Sequence, residues 1–308
     1  MIYLSKKRRK NMLSEILKKE VVIFDGAMGT RLQKLGLPAG HPPEEWNLSH
    51  PEEIAQVHRS YIEAGSTLIQ TNTFGANRIR LERYHLEEKI KEIIHQAVQI
   101  AKSTLKEGVL LAASIGPLGE FIEPYGDLSL EKAQGAFLEQ VELLQEEGIK
   151  IFHLETFSFS SEALLAWEAI KNSGNEAIVS FTFEKRSEER FTTLMGETPR
   201  QIVEVFKGEP IVALGTNCGG GMREIIEIAR QYRESYSEPL SCKPNAGIPQ
   251  VIEEKVVYTE TPEHFAEGTK QLLKLGVNII GGCCGTDERY IKAIKRTIRE
   301  ASSFKPQP

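Results

Sequence analysis

The sequence is poor in cysteine, with four among 308 residues, and two of these are adjacent. That excludes a disulfide-stapled scaffold, and adjacent cysteines are badly placed to bridge to each other. A reducing setting is therefore expected, and we read the protein as cytoplasmic, with thiols free to bind metal. An excess of positive charge is also missing: 38 Lys and Arg face 43 Asp and Glu, a formal net charge of -5. Nucleic-acid binding normally needs a basic patch or stripe, so no nucleic-acid partner is expected. The one basic run, Lys6-Lys7-Arg8-Arg9-Lys10, sits in an N-terminal extension and reads as a solvated tail. Long hydrophobic runs are absent too. No stretch approaches the ~18 apolar residues of a membrane span, and no apolar segment follows the basic run as in a signal peptide.

What is present is ordinary globular composition, 40% hydrophobic and 26% charged. Short apolar runs alternate with longer amphipathic segments throughout. The spacing predicts strands over 21–26, 68–73, 110–116, 150–156, 177–183, 211–218, 240–245 and 277–283. Each is nearly continuous in apolar residues, as parallel strands covered on their outer faces should be. Helices between them have readable ends: Pro51 opens one that Gly65 closes, and Thr198-Pro199 and Thr261-Pro262 open two more. Eight strand–helix repeats predict an α/β fold, a single-domain (β/α)8 TIM barrel over residues 21–300. A doubly wound open sheet is the alternative. Residues 1–20 are expected to be an extension, partly flexible or helical, and residues 301–308 a tail.

In such a barrel, chemistry belongs at the C-terminal ends of the strands. Asp25, Asn72, Glu155, Cys218, Asn245 and Cys283-Cys284 all fall there. Cys218 lies in Gly-Thr-Asn-Cys-Gly-Gly-Gly and the pair in Gly-Gly-Cys-Cys-Gly-Thr. Successive side chains on a regular strand face opposite ways, so the pair needs a kink, which the glycines permit. Three thiolates suit zinc and leave one tetrahedral position for a substrate. Three unconnected buried cysteines are the plainer alternative. Cys242, of opposite parity to Asn245, reads as a small buried hydrophobe.

Asp25-Gly26-Ala27-Met28-Gly29-Thr30, Gln70-Thr71-Asn72-Thr73-Phe74-Gly75-Ala76-Asn77 and the two cysteine motifs resemble the homocysteine S-methyltransferase family over nearly the whole chain. They look closest to the homocysteine-binding module of cobalamin-dependent methionine synthase. The resemblance implies a zinc-containing barrel that activates homocysteine as a zinc thiolate and methylates it to methionine. Cys218, Cys283 and Cys284 would hold the metal, with Asn245 as fourth ligand when substrate is absent. Asp25 and Glu155 would take the substrate ammonium, and backbone N–H groups of the Gly26-Ala27-Met28-Gly29 turn its carboxylate. Asp25 and Glu155 also fit ordinary salt bridges or caps, and Asn245 a turn. His153 reads as a hydrogen-bonded core histidine. Many relatives carry Ser-Asp after the Glu-Thr-Phe stretch, where this sequence has Ser158-Phe159.

No Asp-x-His-x-x-Gly cobalamin-ligand motif and no second barrel follow. Methylcobalamin, the expected methyl donor, would therefore come on a separate corrinoid protein or on cobalamin and folate modules outside this sequence. Phe304 to Pro308 reads as a natural end or a linker stub. Two other readings stand beside this one. The first is a standalone methyltransferase using a small sulfonium or ammonium donor such as S-methylmethionine or betaine. The second is a non-catalytic zinc or redox-sensing protein.

Overall fold

The structure, a computed structural model, describes residues 12–187, 190–252 and 255–303. The basic run at 6–10 and residues 304–308 of the expected tail lie outside these, while residues 301–303 continue the last helix. Eight parallel strands form one sheet: β1 (Val22–Ile23), β2 (Leu68–Gln70), β3 (Leu110–Ile115), β4 (Ile151–Phe157), β5 (Glu176–Phe181), β6 (Ala213–Asn217), β7 (Leu240–Lys243) and β8 (Ile279–Ile280). Each strand pairs with the next, β8 pairs with β1, and a parallel bridge between Phe24 and Leu68 closes the cylinder. The outer ring is α1 (Pro51–Ala64), α2 (Ile90–Thr104), α3 (Leu130–Glu146), α4 (Ser160–Lys171), α5 (Pro199–Val205), α6 (Met222–Arg233), α7 (Pro262–Lys274) and α8 (Glu288–Ser303). The protein is a (β/α)8 barrel, and the open-sheet alternative is excluded by the closing bridge.

Local chemistry sets the helix boundaries. Pro51 opens α1, and Gly65 ends it at φ 117°, a left-handed conformation that glycine adopts without strain. Thr198 and Gln201 form a reciprocal capping box at α5, and the Thr261 hydroxyl accepts from the His264 N–H at α7. The regular strands are shorter than their apolar runs at β1 and β8. Glycines there bend the chain: Gly282 N–H still donates to the Asp25 carbonyl at 2.9 Å, so backbone pairing outlasts the regular strand. The segment 248–261 contains a hairpin of Gln250–Ile252 with Lys255–Val257. A second hairpin pairs Glu184–Ser187 with Arg190–Thr192.

The core has two compartments. Between strands and helices lies a continuous apolar layer that includes Trp167, Phe152, Phe181 and Cys242. Burial pushes the Cys242 thiol up to about 12, so it stays protonated and packs as a small apolar group. Inside the cylinder, at the strand N-termini, Val22, Leu68, Ala112, Ile151, Ile178, Ala213 and Ile279 form a second cluster. A short helix, Leu13–Ile16, seals this floor with Leu13 and Leu17. The Glu176 carboxylate accepts from the Leu13 and Ser14 N–H groups at 2.8 and 2.9 Å, satisfying donors at the start of that helix. Among the described residues no helix is long and apolar enough to cross a membrane.

Candidate active site at the barrel mouth

At the other end of the cylinder the strands deliver polar residues. Cys218, just past β6, has φ 59°, and Thr156, within β4, has φ 64°. Left-handed backbone is costly for non-glycine residues and collects at functional sites. Asn217 holds the bend at Thr156 through its side chain. Its side-chain oxygen accepts from the Thr156 N–H at 2.8 Å, and its amide nitrogen donates to the Thr156 hydroxyl at 2.7 Å. The Cys283-Cys284 pair lies beyond β8 in a turn closed by Thr286 N–H to the Cys283 carbonyl at 3.1 Å. The turn, with Gly285 at φ 82°, frees the pair from strand alternation.

The sulfurs of Cys218, Cys283 and Cys284 all lie within 4.8 Å of one another. Their acidity is strongly split. Hydrogen bonds from Cys283 and Cys284 pull Cys218 down to about 3, whereas the same contacts push Cys283 up to about 12 and Cys284 higher still. One negative charge is easily placed among three crowded sulfurs; a second and third need a cation to share the space. Asn245 hydrogen-bonds Cys218 through its side chain, yet its Oδ1 is buried without a hydrogen-bond partner. Three soft donors plus an orphaned amide oxygen fit a tetrahedral zinc ion in donor chemistry and number. Tyr258 also hydrogen-bonds Cys284, a contact that the sequence did not signal.

The cysteines face a cavity of about 370 Å³, whose wall also includes Gly26, Ala27, Glu155 and Lys243. Glu155 Oε1 accepts from the Gln70 amide at 2.8 Å and the Ser114 hydroxyl at 2.6 Å. Its Oε2 has two long contacts, to the Asn217 amide nitrogen at 3.5 Å and to His153 Nδ1 at 3.7 Å. Burial raises the Glu155 pKa, partly offset by Lys243. Because Gln70 turns its amide nitrogen to Glu155, its oxygen takes a hydrogen from His153 Nδ1 at 2.8 Å. His153 Nε2 then accepts from Ser180 at 2.9 Å. His153 is fully buried below the cavity, and burial keeps it neutral.

Asp25 sits differently. Its Oδ2 accepts from the Gln70 N–H at 2.9 Å and its Oδ1 from Lys243 Nζ at 3.1 Å. Burial lifts its pKa to about 6, and Lys243 limits the rise. Lys243, buried at the end of β7, also places its ammonium 3.8 Å from the Phe24 ring centroid. Sequence reading assigned it no role; the only signal was a charged residue at a strand C-terminus beside Pro244-Asn245. Gly26 is fixed by Tyr61, since a Cβ there would stand 2.7 Å from the ring. Tyr61 donates to the Ala27 carbonyl at 2.7 Å, while the Ala27 N–H donates to the Thr286 hydroxyl at 3.2 Å. Of the N–H groups in the Gly26–Gly29 turn expected to meet the substrate carboxylate, that of Ala27 is thus already engaged. On the rim, Phe159 packs edge-on against Tyr125 at 5.3 Å.

A parallel barrel with three converging thiols at its mouth defines a class of thiol-handling barrel. The sequence pattern of the homocysteine S-methyltransferases matches residues 22–298, and the chain belongs to that family and is a methyltransferase by that membership. The metallated homocysteine methyltransferase MmuM of Escherichia coli superposes with a TM-score of 0.75 at 26% identity, over 91% of this chain and 98% of that one. A methyltransferase from Methanosarcina mazei shares the fold at a TM-score of 0.57 and 10% identity, covering 92% and 95%. The methionine synthases of Mycobacterium leprae and Mycobacterium tuberculosis are 27% and 26% identical over 93% of this chain. The chain spans about a quarter of the length of these two curated relatives.

Proposed function

We propose that this chain methylates homocysteine on sulfur, giving methionine, with a zinc ion held by Cys218, Cys283 and Cys284. The observation carrying this reading is the convergence of three thiols on the same cavity wall as the buried Glu155 carboxylate, whose Oε2 makes only long contacts at 3.5 and 3.7 Å. Bound there, zinc supplies the Lewis acidity that keeps a substrate thiol deprotonated at neutral pH. Asn245 would be the fourth ligand before substrate arrives, since its side chain hydrogen-bonds Cys218 and its Oδ1 is buried without a hydrogen-bond partner.

The remaining work is positioning. Glu155 Oε2 accepts a hydrogen bond from the substrate ammonium, and the network through Gln70 and Ser114 prevents the carboxylate from rotating away. The walls hold the sulfur facing the open mouth, where the donor approaches in line. A sulfur electron pair then forms the new S–CH3 bond as the methyl–donor bond breaks and its electron pair departs on the donor. For the donor we favour a methylcorrinoid carried outside this chain. The support is the match to one quarter of two methionine synthases.

The match to nearly all of MmuM supports a second reading, a standalone enzyme with a small sulfonium or ammonium donor. Methionine formation by the zinc-loaded protein, assayed separately with methylcobalamin, S-methylmethionine and betaine, separates these. Turnover with S-methylmethionine and none with methylcobalamin sinks the corrinoid reading. Zinc-edge absorption that gains no sulfur ligand on adding homocysteine sinks the activity itself and favours a structural or redox role for the cysteines.

A further inference from the structure

Each of the three clustered sulfurs has a hydrogen-bond donor of its own. Cys218 receives the Gly219 N–H and the Asn245 side chain, and Cys283 receives the Asn217 amide nitrogen at 3.8 Å. Those donors stand at or just past the ends of β6 and β7. The donor to Cys284 comes from elsewhere. It is the Tyr258 hydroxyl, on the connection between the hairpin strand Lys255–Val257 and α7. That connection is built against the cysteine turn. The Glu260 N–H donates to the Ala246 carbonyl at 2.9 Å, and the Ala246 N–H to the Cys284 carbonyl at 2.9 Å. The Glu260 carboxylate accepts from the Met222 N–H at 3.1 Å, and the Glu260 carbonyl from the Tyr290 hydroxyl at 2.6 Å. The Tyr258 ring lies so close over Gly285 that no side chain fits at that position. The last glycine of Gly-Gly-Cys-Cys-Gly therefore seats Tyr258.

We propose that Tyr258 is a positioning residue that donates its hydroxyl hydrogen to the Cys284 sulfur and so keeps that sulfur from competing with the substrate thiol for the methyl group. This rests on the reading of the cluster as the metal site of a thiol methyltransferase. A methyl donor at the mouth meets the three sulfurs of the chain as well as the substrate's. Any thiolate among them can attack a methyl group, and a methylated cysteine is a spoiled ligand. A hydrogen bond to a thiolate engages the electron pair that would attack. A donor on each cysteine therefore biases the reaction toward the substrate sulfur. Gly219 and Asn217 do for Cys218 and Cys283 what Tyr258 does for Cys284.

The test treats the zinc-loaded full chain with iodoacetamide and needs neither homocysteine nor a methyl donor. A cysteine sulfur forms a bond to the CH2 carbon of the reagent as the carbon–iodine bond breaks and iodide leaves. Peptide mass spectrometry gives the initial rate at each cysteine. Tyr258→Phe keeps the ring over Gly285 and deletes only the hydroxyl. Alkylation of Cys284 should rise roughly 3- to 10-fold, the worth of one hydrogen bond, with Cys218 and Cys283 changing less than about twofold. In the cobalt(II)-substituted variant the sulfur-to-metal charge-transfer band should move to longer wavelength, which a packing role of the ring would not produce. An unchanged Cys284 rate or an unchanged band overturns the proposal. So does an equal rise at all three cysteines, which would mean that the connection had merely loosened. If the wild-type chain retains no zinc, the metal reading itself fails. Zinc retained by both proteins, with Tyr258→Phe indistinguishable from wild type, sinks the role of Tyr258 alone.

Discussion

The two ends of the cylinder are built from the same strands by opposite rules. At the floor, Val22, Leu68, Ile151, Ile178 and Ile279 meet Leu13 and Leu17 in a dry cluster. A few residues further along the same strands, at the mouth, Asp25, Gln70, Glu155, Asn217 and Lys243 are buried together with three thiols nearby. Burying apolar surface stabilises by about 25 cal/mol per Å², whereas burying charge is at best neutral unless every group is paired. The floor therefore holds the fold, and the mouth is tolerated for its chemistry. Strain follows the same division, since the left-handed Thr156 and Cys218 are both at the mouth.

Cys283→Ser should separate the two ends most sharply. Removing a sulfur ligand should cut methionine formation by more than roughly 100-fold, beyond the loss typical of a partner one step removed from a metal. The melting temperature of the metal-free protein should stay the same. Leu13→Ala is the converse: a loss of about 2–4 kcal/mol in denaturant unfolding, for a fully buried leucine truncated in a packed cluster, with kcat unchanged. A large kcat defect there would mean that floor and mouth are mechanically coupled.

The third effect depends on pH. Burial lifts Glu162, which accepts from the Leu118 N–H at 2.7 Å beneath a mouth loop, from 4.5 to about 7. The folded protein therefore holds this proton more tightly than the unfolded chain. Its contribution is full below pH 4.5 and lost as pH rises through 7, by up to about 3 kcal/mol. Glu162→Gln keeps the acceptor and should flatten that decline in urea titrations between pH 4.5 and 8; an unchanged slope would disprove the assignment. The smallest effect belongs to Gly26→Ala. Its Cβ would crowd the Tyr61 ring, costing about 1–3 kcal/mol with a raised KM for homocysteine.

Periodicity and glycine punctuation made the barrel legible, because a parallel strand needs a continuous apolar run and a helix needs a stop. The cysteine cluster was legible for a related reason: Gly-Gly-Cys-Cys-Gly predicts a chain leaving its strand, and the structure shows the turn there. Strand ends were harder to read. Val21 and Val277 are apolar for packing, not because they carry regular pairing, so the runs at β1 and β8 overestimate those strands. The hairpin pairing Gln250–Ile252 with Lys255–Val257 is not legible in the sequence, because its residues mix polar and apolar without a turn dipeptide. Lys243 was missed because a lone lysine at a strand end resembles a solvated rim residue. What makes it otherwise is Asp25, and only folding brings that residue near.

The sealed floor also fixes where this molecule can be handled. Leu13 enters from the floor side, and Ser303, at the end of α8, shares a surface groove with Glu63 and Ala64 just before β2 begins. Both ends of the described chain thus emerge on the face opposite the cavity. A linker joined at residue 12 or residue 303 would start on the face away from the mouth, leaving the cavity open to substrate and to whatever delivers the methyl group.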